Sequence, residues 1–144
     1  MSPSSRTVRR FRTRLPAKSA REPGGWQTSR WTYDPPAREA AELRPEREEA
    51  ADGRDLVACW RQPAPARRLP RLQGIAILLL TAEASYHAAY DHCTSKYLTQ
   101  AGVAHTFARL EAAGIRGNGH MMMLEKNNLA VAAYIQQWLT THVR

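Results

Sequence analysis

Apolar residues gather after position 70. Ile75-Ala76-Ile77-Leu78-Leu79-Leu80-Thr81-Ala82 is an unbroken apolar run bounded by Gly74 and by polar residues. A run without alternation predicts a strand covered on both faces, as in a parallel sheet. Residues 85–101 then place Tyr86, Tyr90, Cys93, Tyr97 and Leu98 at helical spacing, and Gly102 stands where a helix-ending glycine belongs. Val103–Leu110 predicts a second strand, and this strand–helix–strand unit closes as a crossover between parallel neighbours. The loop Glu111–Gly119 holds three glycines. From Met121 the chain is helical again, with Val131, Tyr134, Ile135, Trp138 and His142 on one stripe.

Upstream the pattern dissolves. Pro23-Gly24-Gly25, Asp34-Pro35-Pro36, Pro45, Pro63, Pro65 and Pro70 break it repeatedly. Between the breakers, Ala37–Ala51 is rich in Ala, Glu and Arg and predicts one exposed helix. Trp26, Trp31, Tyr33 and Trp60 are large apolar groups in a polar stretch, so this excursion is expected to lie on a surface. Three units follow: a disordered basic tail over 1–21, an irregular lid-like segment over 22–73, and a folded part over 74–144.

Charge changes the picture less than its total suggests. Seven of the formal +8 charges lie in residues 1–21, which hold no acid, leaving the remainder of the chain at +1. A nucleic-acid or lipid surface would need a basic or aromatic stripe on the body, and none is visible. Neither nucleic acid nor a membrane is therefore the expected partner, and a basic-tail binder of either is only an alternative. The longest apolar run is far too short to span a bilayer. The N-terminus lacks the apolar stretch of a secretory signal. It is Arg- and Ser-rich and free of acids, which leaves an organellar transit peptide open, although Pro3 and Pro16 count against one. The two cysteines, Cys59 and Cys93, suggest no disulfide framework, so a reduced, cytoplasmic protein is expected.

The chemistry concentrates in Gly114-Ile115-Arg116-Gly117-Asn118-Gly119-His120-Met121-Met122-Met123-Leu124-Glu125-Lys126-Asn127-Asn128. His120 follows a glycine-rich loop after the last strand. A triad histidine must reach a nucleophile and an acid from other strands, and such a loop allows that; a histidine capping the next helix is the alternative on spacing alone. His87, His92 and Cys93 could be a metal cluster, but adjacent His92 and Cys93 diverge on a helix, and the five-residue step from His87 is poor. No metal and no cofactor are expected. The Met121–Met123 run reads as packing near a pocket.

The segment around His120 resembles the end of an esterase-like branch of the α/β-hydrolase superfamily. Thr32-Tyr33-Asp34-Pro35-Pro36, Thr81-Ala82-Glu83-Ala84-Ser85-Tyr86-His87 and Tyr90-Asp91-His92-Cys93-Thr94 are similar to the same branch, so the likeness spans about residues 26–144. It implies an α/β class: a partial α/β-hydrolase fold with the last two parallel strands and flanking helices, preceded by an irregular N-terminal segment. Ile75–Ala82 would be the seventh strand and Val103–Leu110 the eighth. It also implies that His120 is the triad histidine, with Glu83, or Glu22 of Glu22-Pro23-Gly24, as the acid. Glu83 could equally bond loop amides.

This branch needs a Gly-x-Ser-x-Gly elbow and an oxyanion hole, and no such elbow occurs in the 144 residues. Around Ser85, Glu83 and His87 stand where small residues belong, which argues against Ser85 as nucleophile. The expected function is the C-terminal fragment of a carboxylic ester hydrolase, inactive alone, whose parent acts on a small-molecule ester. A truncation, a misplaced start or a degenerate copy would each give such a chain. The alternative is a non-catalytic interaction module pairing through an open sheet edge, with self-association expected.

Overall fold

The computed structural model describes residues 32–143. The basic tail over 1–21, Glu22, Trp26 and Trp31 lie outside the described residues.

The folded part is built on two strands that pair in parallel. Strand β3 (Leu78–Thr81) lies beside β4 (Thr106–Arg109), with Leu78 opposite Thr106 and Thr81 opposite Arg109. Helix α1 (Asp91–Gln100) makes the crossover, and helix α2 (Asn128–His142) follows β4. Alternate residues along β3 serve the two helices, as a strand's two-residue period requires. Ile77 packs with Tyr97 and Leu98 of α1 on a cluster of Leu69, Ala101 and Val103. Leu80 and Ala82 join Leu110 and α2's Val131, Tyr134 and Ile135. Trp138 of α2 donates its indole N–H to Thr106 Oγ1 at 2.9 Å, so its one polar atom is satisfied as the ring is buried.

The end of α1 follows the expectation from Gly102. The Val103 amide donates to the Leu98 carbonyl and the Gly102 amide to Thr99, which is the hydrogen-bond pair of a Schellman turn. Gly102 has φ +72°, and a Cβ there would come within 2.7 Å of the Arg68 guanidinium. Both the backbone and the neighbour therefore call for glycine.

Three expectations need correction. The strand over Ile75–Ala82 is shorter and less covered than its apolar run implied: Ile75 is 52% exposed and Leu78–Leu80 are half-buried. The reason is that β3 pairs with β4 alone among the described residues, so its other edge has no neighbour. The helix expected over Ala37–Ala51 is a single 3-10 turn, Ala40–Leu43, followed by a two-residue strand, β1 (Glu46–Arg47). Strand β1 pairs antiparallel with β2 (Trp60–Arg61), and tertiary pairing has overridden helix propensity there. Finally, Cys59 and Cys93 form a disulfide.

That bond is one of several fastenings between the proline-rich excursion and α1. The Gln62 amide donates to Gln100 Oε1 and the Gln100 side chain donates back to the Gln62 carbonyl, at 2.9 and 2.8 Å. Tyr33 and Tyr97 share a hydroxyl hydrogen bond of 2.9 Å, and burial beside that bond pushes the Tyr97 hydroxyl's pKa well up. Lys96 of α1 bonds Glu48 at 3.0 Å and Asp52 at 2.7 Å. The excursion expected to lie on a surface is thus stitched along a helix.

Candidate functional site

The loop that carries His120 lies at the carboxyl end of the strand pair, because the Ala84 amide, just past β3, donates to the Asn118 carbonyl at 2.9 Å. Asn118 is wholly buried and exchanges two hydrogen bonds with Asn127: its amide nitrogen donates to Asn127 Oδ1 at 2.6 Å, and Asn127 donates to Asn118 Oδ1 at 2.8 Å. Glu125 Oε1 accepts the Gly119 amide at 2.6 Å, and Asn128 donates to the Met123 carbonyl at 3.0 Å. The acid and the two asparagines that follow His120 in the sequence are therefore clasps that hold its loop. Gly119 fits for want of room, since a Cβ there would stand 3.2 Å from that same Glu125 oxygen.

Glu83 performs a related task. One carboxylate oxygen accepts the Gly117 amide at 3.0 Å and the other meets Arg116 at 3.2 Å. No hydrogen bond joins Glu83 to His120 among the described residues. Of the sequence-derived site residues, then, His120 and Glu83 belong to the same loop cluster but do not form an acid–histidine pair, and Glu22 lies outside the described residues. Ser85 is buried, and its hydroxyl accepts the His87 backbone amide at 3.1 Å. That local turn leaves Ser85 without a hydrogen bond to either neighbouring imidazole.

An acid–histidine pair does stand beside His120, from His87, weighed in the sequence as a metal ligand, and Asp91, which was assigned no role there. His87 Nδ1 and Asp91 Oδ1 are 3.1 Å apart, four residues apart at the start of α1. The His87 ring stacks on His120 with centroids 4.5 Å apart and planes within 13°. Tyr86 tilts against His120 at 4.6 Å and Tyr90 against His87 at 4.7 Å. A cavity of about 330 Å³ opens here, lined by Ser85, His87, Asp91, Thr94, His120 and Met122 along the side of β3. The signal available in the sequence was the His-x-x-x-Asp spacing, which places both side chains on one helical face. The methionine run divides: Met122 packs against the α2-side cluster, whereas Met121 and Met123 are more than half exposed.

Chemically, the arrangement can hold an exposed imidazole at a fixed position over a partly apolar hollow. The His120 ring rests against His87 and Tyr86, on a loop held by Asn118, Asn127 and Glu125. Nothing among the described residues supplies an activated serine beside it.

A curated protein described as "Probable secreted lipase phiG", from Fungal sp. (strain ATCC 74256), is 48% identical over 89 residues. The match covers 62% of this chain and 24% of that protein, so the chain spans about a quarter of its relative's length. The likeness is to a hydrolase of the lipase or esterase kind. No family model matches the chain, and no solved structure matches it. The expectation of a reduced, cytoplasmic protein is overturned here: the relative is described as secreted, and Cys59 and Cys93 are bonded to each other, as suits an oxidising compartment. The sequence reading failed because 34 positions separate the two cysteines, and only the docking of β2 on α1 brings them together.

Proposed function

We propose that this chain is the C-terminal part of a secreted serine-type carboxylic ester hydrolase and carries its triad histidine, His120. The observation that supports the reading is the clasped loop at the carboxyl end of two parallel strands, which carries an exposed imidazole. The 48% identity to a secreted lipase supports the same class. In the parent reaction His120 Nε2 would take the proton of a serine hydroxyl as it attacks the ester carbonyl. It would then return that proton to the departing alkoxide. The serine and the oxyanion donors would come from the part of the protein that corresponds to the rest of the relative. The unpaired edge of β3 is where further strands of that sheet would add. Glu83 serves the loop in this reading, and the acid partner of His120 comes from outside the described residues, with Glu22 as the candidate in this chain.

The test uses a polypeptide joining this chain to a segment with the Gly-x-Ser-x-Gly elbow. His120→Ala should lower kcat for an activated ester by roughly 10⁴-fold or more, with KM little changed. Activity within about tenfold of the parent would refute the role of His120. The chain alone should hydrolyse the same ester no faster than its own His120→Ala variant, since positioning and oxyanion donors supply most of an acyl-transfer rate.

A further inference from the structure

The disulfide has an unusual neighbour. His92 is buried, and its Nε2 lies 3.2 Å from Cys59 Sγ and 3.6 Å from Cys93 Sγ. Bonded sulfurs carry no proton and are weak acceptors. The other ring nitrogen, Nδ1, is buried with no hydrogen-bond partner among the described residues. With either nitrogen protonated, then, this imidazole keeps an unsatisfied polar atom in the interior. Buried polar groups are generally paired, so an orphan of this kind calls for an explanation. The fourth group at this corner is Asp52, whose Oδ2 stands 4.0 Å from His92 Nε2.

We propose that Cys59, Cys93, His92 and Asp52 form a latent zinc site, masked by the disulfide and opened by its reduction. The donor set suits zinc, which takes thiolate sulfur, imidazole nitrogen and carboxylate oxygen in a tetrahedron. The spacing suits it as well. Ordinary zinc bond lengths put nitrogen and sulfur about 3.5 Å apart along a tetrahedral edge, and nitrogen and oxygen about 3.4 Å apart. The observed 3.2 and 3.6 Å already lie near the nitrogen–sulfur edge, whereas the 4.0 Å to Asp52 is longer than the nitrogen–oxygen edge. The ligand atoms of Cys59, His92 and Cys93 all fall within 4.8 Å of one another. Two adjustments complete the tetrahedron: the two sulfurs separate from bonding distance to about 3.8 Å, and the half-exposed Asp52 carboxylate, which lies outside that three-residue cluster, swings in toward it. Two thiolates and a carboxylate exceed the metal's charge by one; Lys96, 2.7 and 2.6 Å from the two Asp52 oxygens and bonded to Glu48 as well, puts a positive charge beside the site, and Asp52 Oδ2 must turn from it to reach the metal.

The chemistry closes. A phosphine and one water reduce the disulfide to two thiols, and the phosphine leaves as its oxide. Zinc then displaces the two thiol protons to solvent and takes the Nε2 lone pair of neutral His92. The cluster weighed from the sequence, His87, His92 and Cys93, is a different one, set aside because His92 and Cys93 diverge from adjacent helical positions and His87 is badly spaced. Cys59, arriving from β2's approach, is the residue that brings them to one point.

The chain, reduced with a phosphine and freed of it without air, is titrated with Co²⁺ as a spectroscopic stand-in for zinc. The expected result is one cobalt per chain, with thiolate-to-cobalt charge transfer in the near ultraviolet and the visible bands of tetrahedral cobalt. Stoichiometric Zn²⁺ should remove both signals, and the oxidised chain should give neither. Loss of a direct ligand in His92→Ala should weaken binding by more than the ~10–100-fold attached to outer-shell partners. The site is refuted if the reduced wild type gives no bands at stoichiometric cobalt. Equal affinity in denaturant would refute it too, because a built site requires the fold; this reading decides the matter even where His92→Ala fails to fold. Undiminished binding in a folded His92→Ala would be equally fatal.

Discussion

Replacing Cys59 and Cys93 together by alanine removes the bond that closes a span of 34 residues. In the chain-entropy account, closing a loop of that length removes about 12.6 cal/mol/K from the unfolded ensemble, or about 3.8 kcal/mol at 25 °C. Cys59 is 1% exposed, so truncating its sulfur also leaves a small void, which adds up to about 1 kcal/mol. The expected loss is therefore about 4 kcal/mol, against the few kcal/mol that a single small core supplies. The same bond ties the excursion to α1, so β1 and β2 should be the first elements to lose protection. Urea unfolding followed by dichroism measures the change, and the midpoint should fall by about 2 M. Native mass measurement before and after alkylation counts the free thiols of the wild type. A destabilisation below about 1 kcal/mol would refute the entropic argument. Two free thiols in the unreduced wild type would refute the bond itself, together with the oxidising compartment inferred from it.

Asn118→Ala removes two hydrogen bonds and strands Asn127, which predicts a loss of about 2–4 kcal/mol in urea unfolding. A double-mutant cycle with Asn127→Ala should show coupling above about 1 kcal/mol, and simple additivity would refute the clasp. Hydrogen bonding to Lys96 lowers the Glu48 pKa below its ordinary 4.5, aided by Arg61 and the Cys59 amide and opposed by burial. Its contribution is therefore present above that ordinary value and lost as pH falls through the lowered one. The melting temperature should drop along this acid limb, and Glu48→Gln should flatten the drop; an unchanged pH profile would refute it. The unpaired edge of β3, with half-buried Leu78, Leu79 and Leu80, should make the isolated chain self-associate or lose cooperativity. A monomer with a sharp melt in sedimentation and near-ultraviolet dichroism would instead show that residues 32–73 complete the core.

Local regularities of the chain determined much by themselves. The apolar run and its helical sequel placed β3 and α1, and Gly102 marked the turn that ends α1, because these depend on nearest neighbours and period. His120 stood out because glycines and a polar clasp are written contiguously around it. What only the tertiary structure decided involves residues far apart in sequence. Ala37–Ala51 has helix propensity, but pairing of Glu46 and Arg47 with Arg61 and Trp60 outweighs it. Cys59 and Cys93 looked unrelated until β2 was laid against α1. The sequence left Glu83 two roles, triad acid or partner of loop amides, and the fold shows the second by bringing the Gly117 amide, 34 residues on, to its carboxylate. The His87–Asp91 pair is four residues apart and went unread, and the stacking of His87 on His120 needed the return of the chain after β4. Propensity and period are properties of a short window, whereas partners for a carboxylate, a thiol or a strand edge are assigned by which distant segments the fold brings to them.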